Sequence, residues 1–251
     1  MSRHTVNKLI LVFFSWALLA GCSTPSENSQ PYKSAKVHTE LAGLYYQRGQ
    51  YGIALDELKK ALNADRDYAP AYNVRALVHM ALRENKDADA DFQHSLSLDN
   101  TNSDAHNNYG WFLCQNDRAK EAIPQFMDAI KNPLYTTPGR AYLNAGLCSR
   151  KAGNNKDAEY FLQKSLQAQP DSVQTLFALA DLNYTNMHYF AAKKYFADLA
   201  QKSDNLTAEQ LWLGIKINRK IGNRNTADSY ATQLRNRFPD ASETQMLNNG
   251  E

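Results

Sequence analysis

Residues 107–126 read NNYGWFLCQNDRAKEAIPQF, and they contain three positions from which most of the chain can be aligned. Gly110 is a first small residue, Ala122 follows it by twelve positions, and the bulky Phe126 follows Ala122 by four. The pattern occurs six times. The first small residue is Ala42, Ala76, Gly110, Gly146, Ala180 and Gly214. The second is Ala54, Ala88, Ala122, Ala158, Ala192 and Ala227, at steps of 34, 34, 36, 34 and 35 residues. The apolar residue is Leu58, Phe92, Phe126, Leu162 and Phe196, with Ala231 as a weak last member.

A period near 34 with this pattern of small and large residues is typical of tetratricopeptide (TPR) repeats. In such a repeat two antiparallel helices approach most closely at the small residues, and the apolar residue fills the gap beside them. We therefore predict an all-α fold, a right-handed superhelical solenoid of six TPR helix pairs. The predicted repeats are 35–68, 69–102, 103–138, 139–172, 173–206 and 207–240, and the polar residues 241–251 are predicted to be a disordered tail.

The N-terminal segment has the pattern of a bacterial lipoprotein signal. Basic residues precede an apolar run over 9–20, which is too short for an ordinary membrane span but suits a signal peptide. The following sequence LAGC at 19–22 resembles a lipobox, which implies cleavage after residue 21 and lipidation of Cys22. In lipoproteins an aspartate directly after the lipidated cysteine favours inner-membrane retention. The residue at this position is Ser23, which suggests the outer membrane. An uncleaved anchor, or a plain secretory peptide with an incidental cysteine, is the alternative.

Residues 22–34 are rich in serine, proline and asparagine, and we predict a lipidated, flexible tether there. The formal net charge of the chain is +2, and Arg3 and Lys8 lie in the predicted signal peptide, so the mature chain is close to neutral. This gives no support for nucleic-acid binding. The chain has no CxxC, HExxH or Cys/His cluster and its histidines are scattered, so we predict no metal, no cofactor, no small-molecule substrate and no enzymatic activity.

The first helices of TPR repeats line the concave face of the solenoid. Counted from the first small residue, the positions three before, one after and four after point into this concavity. They include Tyr46, Asn73, Leu77, Met80, Asn107, Trp111, Phe177, Asp181 and Tyr184. Four of them are apolar where a solvated face would be polar, which predicts a groove for a partner peptide or helix. The alternative is that some of these side chains pack under neighbouring helices.

Cys114 and Cys148 fall on the first helices of adjacent repeats. In an oxidising compartment they could pair, and we favour a disulfide over two free thiols. The chain-entropy model gives about 4 kcal/mol of denatured-state restriction for such a span.

Repeat three and the loop that follows it resemble the type IV pilus biogenesis/stability lipoproteins, the TPR pilotins. The matching stretches are NNYGWFLC at 107–114, Arg118, Glu121 and Ala122, Phe126, NPLY at 132–135 and NAGL at 144–147. The resemblance covers nearly the whole chain, including the lipobox, the tether and a two-residue insertion after the third repeat. It implies an outer-membrane lipoprotein that helps the pilus secretin reach that membrane and assemble into its ring. No catalytic residue is implied, and Cys22 carries over as the lipidated residue.

Two other functions are compatible with the repeats alone. One is a periplasmic TPR adaptor for cell-wall enzymes or for outer-membrane protein assembly. The other is a hydrolase carried on a TPR scaffold, for which residues 35–240 leave no spare domain. For the hypothesis that the protein binds the pilus secretin, the first two repeats are the preferred binding region because they are nearest the predicted anchor and carry Leu77 and Met80.

Overall fold

A computed structural model describes residues 29–250; the predicted signal peptide, Cys22 and most of the predicted tether lie outside this range. The described residues form thirteen α-helices and no strand. They are α1 Gln30–Gln47, α2 Tyr51–Ala64, α3 Ala69–Ala81, α4 Asn85–Leu98, α5 Ser103–Gln115, α6 Ala119–Lys131, α7 Pro138–Lys151, α8 Asn155–Ala168, α9 Val173–Thr185, α10 Tyr189–Lys202, α11 Ala208–Lys220, α12 Arg224–Arg237 and α13 Ser242–Asn248. None of these helices is long and apolar enough to cross a bilayer.

The first twelve helices form six antiparallel pairs, which confirms the predicted TPR solenoid. Each first helix (α1, α3, α5, α7, α9, α11) contacts the next first helix, whereas successive second helices make no such contact within residues 29–250. The stack therefore curves with its first helices on the inner, concave side. Buried clusters follow one another along the stack, so the core is continuous between neighbouring pairs.

The small residues lie where the two helices of a pair approach most closely. A Cβ placed on Gly110 would lie 2.8 Å from Cε1 of Phe126, and one on Gly146 would lie 2.7 Å from Cγ of Leu162. Only glycine leaves room for those side chains. The sixth pair differs: a Cβ on Gly214 would lie 2.6 Å from Cζ of Phe196, which belongs to the fifth pair. The weak last member of the apolar series is thus compensated by a ring from the preceding repeat.

Both predicted boundaries of the solenoid are wrong. Helix α1 begins inside the predicted tether, at Gln30, because Ser29 Oγ accepts a hydrogen bond from the Tyr32 N–H at 3.3 Å. The Tyr32 ring then packs edge-on against Tyr68, at 5.2 Å between centroids. At the other end, α13 replaces most of the predicted disordered tail. Leu247 is buried in the last core cluster, and Thr244 Oγ1 donates to the Phe238 carbonyl at 2.6 Å.

Two positions after the last residue of each first helix comes a residue with left-handed backbone conformation. These residues are Gly49, Arg83, Asp117, Gly153, Met187 and Gly222, with φ between 60° and 79°. The N–H of the next residue donates back to the carbonyl five positions earlier, as from Gln50 to Tyr45 and from His188 to Asn183. Met187 is the most unusual of the six, since it is a bulky residue in this conformation and is 71% exposed.

We expect Met187→Gly to raise the free energy of unfolding by about 0.5–1 kcal/mol, because relief of left-handed strain exceeds the added chain entropy of glycine. Urea denaturation of the purified protein measures this. Gly153→Ala, at the equivalent turn of the fourth pair, is the control and should lower stability. A loss of stability in Met187→Gly would mean that the exposed side chain makes a stabilising contact.

Candidate protein-binding surfaces

Six of the predicted concave residues pack partly against core clusters, and four of these six lie in the first three repeats. Leu77, Met80 and Trp111 are half-buried and pack against the cluster around Phe92 and Phe126. Tyr46 is half-buried too, and burial, followed by the nearby Tyr51, raises the pKa of its hydroxyl. The alternative that some of these side chains pack under neighbouring helices therefore holds in part.

Asn73 and Asn107 are buried and bond to the next repeat. The Asn108 side-chain amide donates to Asn73 Oδ1 at 3.2 Å, and the Asn144 amide donates to Asn107 Oδ1 at 3.0 Å. Each pair satisfies polar groups that would otherwise be unpaired between two helices. The prediction that Asn73 and Asn107 face a partner is therefore wrong, because their side chains hold successive first helices together.

The concave side opens into a groove in the second half of the solenoid, which we call the C-terminal groove. It has a volume of about 530 Å³. It is lined by Leu143, Leu147, Arg150, Gln174, Phe177, Ala178, Asp181, Thr207, Glu209 and Gln210, from α7, α9, α11 and the residue before α11. Two predicted residues, Phe177 and Asp181, lie in it. Arg150 and Asp181 form an ion pair across α7 and α9.

Tyr184, the last predicted residue of this face, lies beyond the groove residues on α9. Lys216 of α11 lies over its ring, with Nζ 5.0 Å from the centroid. Burial, and then the neighbouring Tyr189 and Asp181, raise the pKa of the Tyr184 hydroxyl. Its ring therefore joins α9 to α11.

A second exposed surface was missed by sequence reasoning. Val37, Leu41 and Leu44 lie on one side of α1 and are 54%, 38% and 50% exposed. We call this the α1 end face. Counted from the first small residue, the counterparts of Val37 and Leu44 in the next four pairs are at most 1% exposed. These counterparts are Ala71 and Val78, Ala105 and Phe112, Ala141 and Cys148, and Thr175 and Leu182.

The contrast has a simple cause. In an inner repeat this side of the first helix packs on the preceding helix pair, whereas α1 has no described pair before it. A terminal repeat normally carries a polar outer face for solubility. The apolar residues at 37, 41 and 44 break that rule, and this was a signal available in the sequence.

Cys114 and Cys148 form a disulfide in the structure. Their Cα atoms are 5.7 Å apart, within the range that a disulfide requires. The bond joins α5 to α7 across the two-residue insertion. Lys151 reinforces the same junction, since its Nζ donates to the Cys114 and Gln115 carbonyls at 3.0 and 3.2 Å and lies 2.8 Å from Asp117 Oδ1.

One group of side chains has the composition of a metal site. His79, Glu84 and Asp87 offer ligand atoms within 4.8 Å of one another, a proximity that sequence spacing did not suggest. The two carboxylates are exposed to solvent. His79 Nδ1 is 2.6 Å from Glu84 Oε2, and its Nε2 is 3.8 Å from Asp91 Oδ2. This is a surface hydrogen-bond network at the end of α3, and we assign it no metal.

The curved helical stack, with the C-terminal groove and the α1 end face on its surface, defines a TPR scaffold for protein–protein interaction. The tetratricopeptide repeat family model matches residues 92–123. The chain belongs to the family of the type IV pilus assembly protein PilF of Pseudomonas aeruginosa, to which it is 32% identical over 242 residues, covering 94% of this chain and 95% of that protein.

Two solved structures agree with this assignment. One is the crystal structure of PilW, described as a widely conserved type IV pilus biogenesis factor; it has 34% identity and a TM-score of 0.79, and covers 85% of this chain and 97% of that one. The other is PilF of Pseudomonas aeruginosa, with 30% identity, a TM-score of 0.80, and coverage of 89% and 100%. The predicted resemblance to type IV pilus biogenesis TPR proteins is confirmed. TPR scaffolds of this kind are typically non-enzymatic.

Proposed function

We propose that this protein is a pilotin: an outer-membrane lipoprotein, facing the periplasm, that binds subunits of the type IV pilus secretin. It promotes their localisation and multimerisation in the outer membrane, and pilus biogenesis requires it. The family relationship to PilF and PilW supports a role in pilus biogenesis. The lipobox ending at Cys22 supports the membrane anchor. Neither catalysis nor a cofactor is needed for this role.

The α1 end face is the observation that carries the proposal. Fully burying a leucine or valine side chain is worth about 1.5–3 kcal/mol relative to full exposure, so covering Val37, Leu41 and Leu44, which are 38–54% exposed, would add about half of that for each. In the inner repeats this side is covered by helices. An amphipathic segment of the secretin subunit that packs like a preceding helix pair fits the same surface, with apolar anchors at helical spacing.

The position of the α1 end face suits delivery to a membrane. Ser29 follows Cys22 by seven positions, and a chain of that length spans at most about 25 Å. A subunit bound at α1 is thereby kept close to the bilayer into which it inserts. The preference for the first two repeats is retained in this proposal, but the surface moves from the concave side to the end of the stack.

The test is membrane fractionation of the secretin in strains carrying Leu41→Glu/Leu44→Glu. Two carboxylates on the exposed side of α1 leave the core of the first pair intact but prevent apolar docking. We expect a normal melting temperature and a loss of at least three quarters of the heat-resistant secretin multimer from the outer membrane. Leu82→Glu, which changes a similarly exposed leucine at the end of α3, is the matched control and should behave as wild type.

Deletion and Cys22→Ala strains separate binding from delivery. If lipid-driven delivery is correct, Cys22→Ala leaves secretin in the inner membrane while the subunit still co-purifies with the protein. A normal amount of secretin multimer in the Leu41→Glu/Leu44→Glu strain would exclude the α1 end face as the secretin-binding surface. Normal multimer in the deletion strain would overturn the pilotin proposal itself.

A further inference from the structure

We propose that the C-terminal groove is a second binding site, which takes an extended peptide segment with apolar side chains next to lysine or arginine. The groove lies on α7, α9 and α11, in the opposite half of the solenoid from the α1 end face. The proposal concerns a different surface and does not rest on secretin binding.

The groove begins where the hydrogen-bonded asparagine pairs between successive first helices end. At the position three before the first small residue, Asn73 and Asn107 are followed by Leu143 and Phe177 in the next two repeats. Asparagines at this position are drawn into the structure by hydrogen bonds to the next helix. Leu143 and Phe177 make no such bonds and remain half-buried, so their apolar surfaces form the floor.

The position after the small residue changes in the same direction. It is Trp111 in the third repeat, whose large indole packs against the core cluster. In the fourth repeat it is Leu147, which is smaller and lines the groove. The resulting volume of about 530 Å³ lies in the range typical of ligand sites. Phe177 also packs against the cluster of the last two repeats, so the floor is held in place without a ligand.

The charges of the lining favour a cationic partner. Arg150 and Asp181 neutralise each other, whereas Glu209 is exposed and forms no ion pair with any residue between 29 and 250. Asp181 uses Oδ2 for Arg150, and its Oδ1 accepts no hydrogen bond from the described residues. The groove therefore has one uncompensated negative charge, on Glu209, and a carboxylate oxygen of Asp181 that can accept a hydrogen bond from a ligand. A lysine or arginine beside an apolar side chain would reach both.

The shape and the polar rim indicate an extended peptide. Packed helices lie about 8–10 Å apart, so three first helices span about 20 Å, the length of about six extended residues. Gln174 and Gln210 stand on α9 and α11 at this rim. The Gln210 side-chain oxygen is fixed by the Thr207 N–H at 3.0 Å, which leaves its amide group free to donate to a peptide carbonyl.

The probe is the fluorescein-labelled octapeptide Gly-Ser-Leu-Lys-Leu-Lys-Ser-Gly, titrated with the purified protein by fluorescence anisotropy. A version with glutamate in place of both lysines, and one with serine in place of both leucines, test the charge and the apolar requirement separately. We expect saturable binding of the lysine peptide and at least tenfold weaker binding of the other two.

Variants then place the site. Glu209→Lys reverses an exposed charge and should weaken binding of the lysine peptide at least tenfold, with only a small fall in melting temperature from the loss of an acidic residue in the first turn of α11. Asp240→Lys, an exposed charge reversal outside the groove, is the matched control and should bind as wild type. Leu147→Ser removes part of the apolar floor and should weaken binding as well.

Several outcomes would overturn the proposal: no binding of the lysine peptide, equal binding of the glutamate peptide, or wild-type affinity in both groove variants. A dimer in analytical ultracentrifugation that Glu209→Lys dissociates would show that a second copy of the chain occupies the groove instead. None of these results bears on the secretin assay, so failure of this inference is distinguishable from failure of the proposed function.

Discussion

Cys114→Ser/Cys148→Ser is expected to lower the free energy of unfolding by about 4 kcal/mol, since the bond closes a loop of 34 residues in the denatured chain. Both sulfurs are buried between α5 and α7, at the junction where the insertion interrupts the repeat period. Loss of the bond therefore leaves Lys151 and the buried contacts to hold the third and fourth repeats together. Urea denaturation at fixed pH without reductant measures the change.

Wild-type protein measured with reductant is the control, and it should match the double variant. Either single variant should show a loss of similar size, because removing one partner already opens the loop. Free-thiol counting under denaturing, non-reducing conditions provides an independent check. Two reactive thiols from Cys114 and Cys148 in the mature protein, or a double variant as stable as wild type, would contradict the disulfide.

Phe126→Ala is expected to cost about 3–5 kcal/mol, the range for deleting a fully buried aromatic ring. Phe126 is 0% exposed and lies in the central cluster with Phe92 and Phe112. Opposite its ring is Gly110, which has no side chain that could move into the space. Because the cavity can collapse little, we expect a value in the upper half of this range, measured by urea denaturation.

Gly110→Ala tests the same contact from the other side. In the wild-type background the new methyl group would lie 2.8–2.9 Å from the Phe126 ring, and we expect a loss of about 1–3 kcal/mol from overpacking. In the Phe126→Ala background the methyl group enters empty space, and alanine is the better helix former by about 1 kcal/mol. We therefore expect a coupling free energy of at least 1 kcal/mol between the two sites. Additive effects would mean that the ring does not fill the glycine position.

Local pattern was sufficient for the interior of the solenoid. The step near 34 fixed the number of helix pairs, and the small and bulky series identified the residues at each close approach, as Gly110 with Phe126 and Gly146 with Leu162 show. These contacts join residues within one repeat, at spacings that helical geometry dictates. For the same reason Cys114 and Cys148 could be recognised as equivalent positions of adjacent repeats.

The candidate sites were predicted less well, because a position on the concave face does not reveal whether its side chain is free. Phe177 and Asp181 line a groove, whereas Asn73 and Asn107 on the same face accept hydrogen bonds from the next repeat and are buried. The difference depends on Asn108 and Asn144, which are two positions before the small residue of another helix. Sequence reasoning treated each position by itself and did not pair them.

By itself the sequence determined the class of fold, the six pairs and the family, since all three rest on short-range periodicity and motif. Only the tertiary structure decided where the solenoid ends and which faces stay open. Helix α1 extends back to Gln30 because the Tyr32 ring packs against Tyr68. Helix α13 forms because Leu247 is buried in the last core cluster. Val37, Leu41 and Leu44 are exposed because no described helix pair precedes them. Burial depends on what each helix meets in space, and a repeating pattern is the same whether or not a neighbour is there.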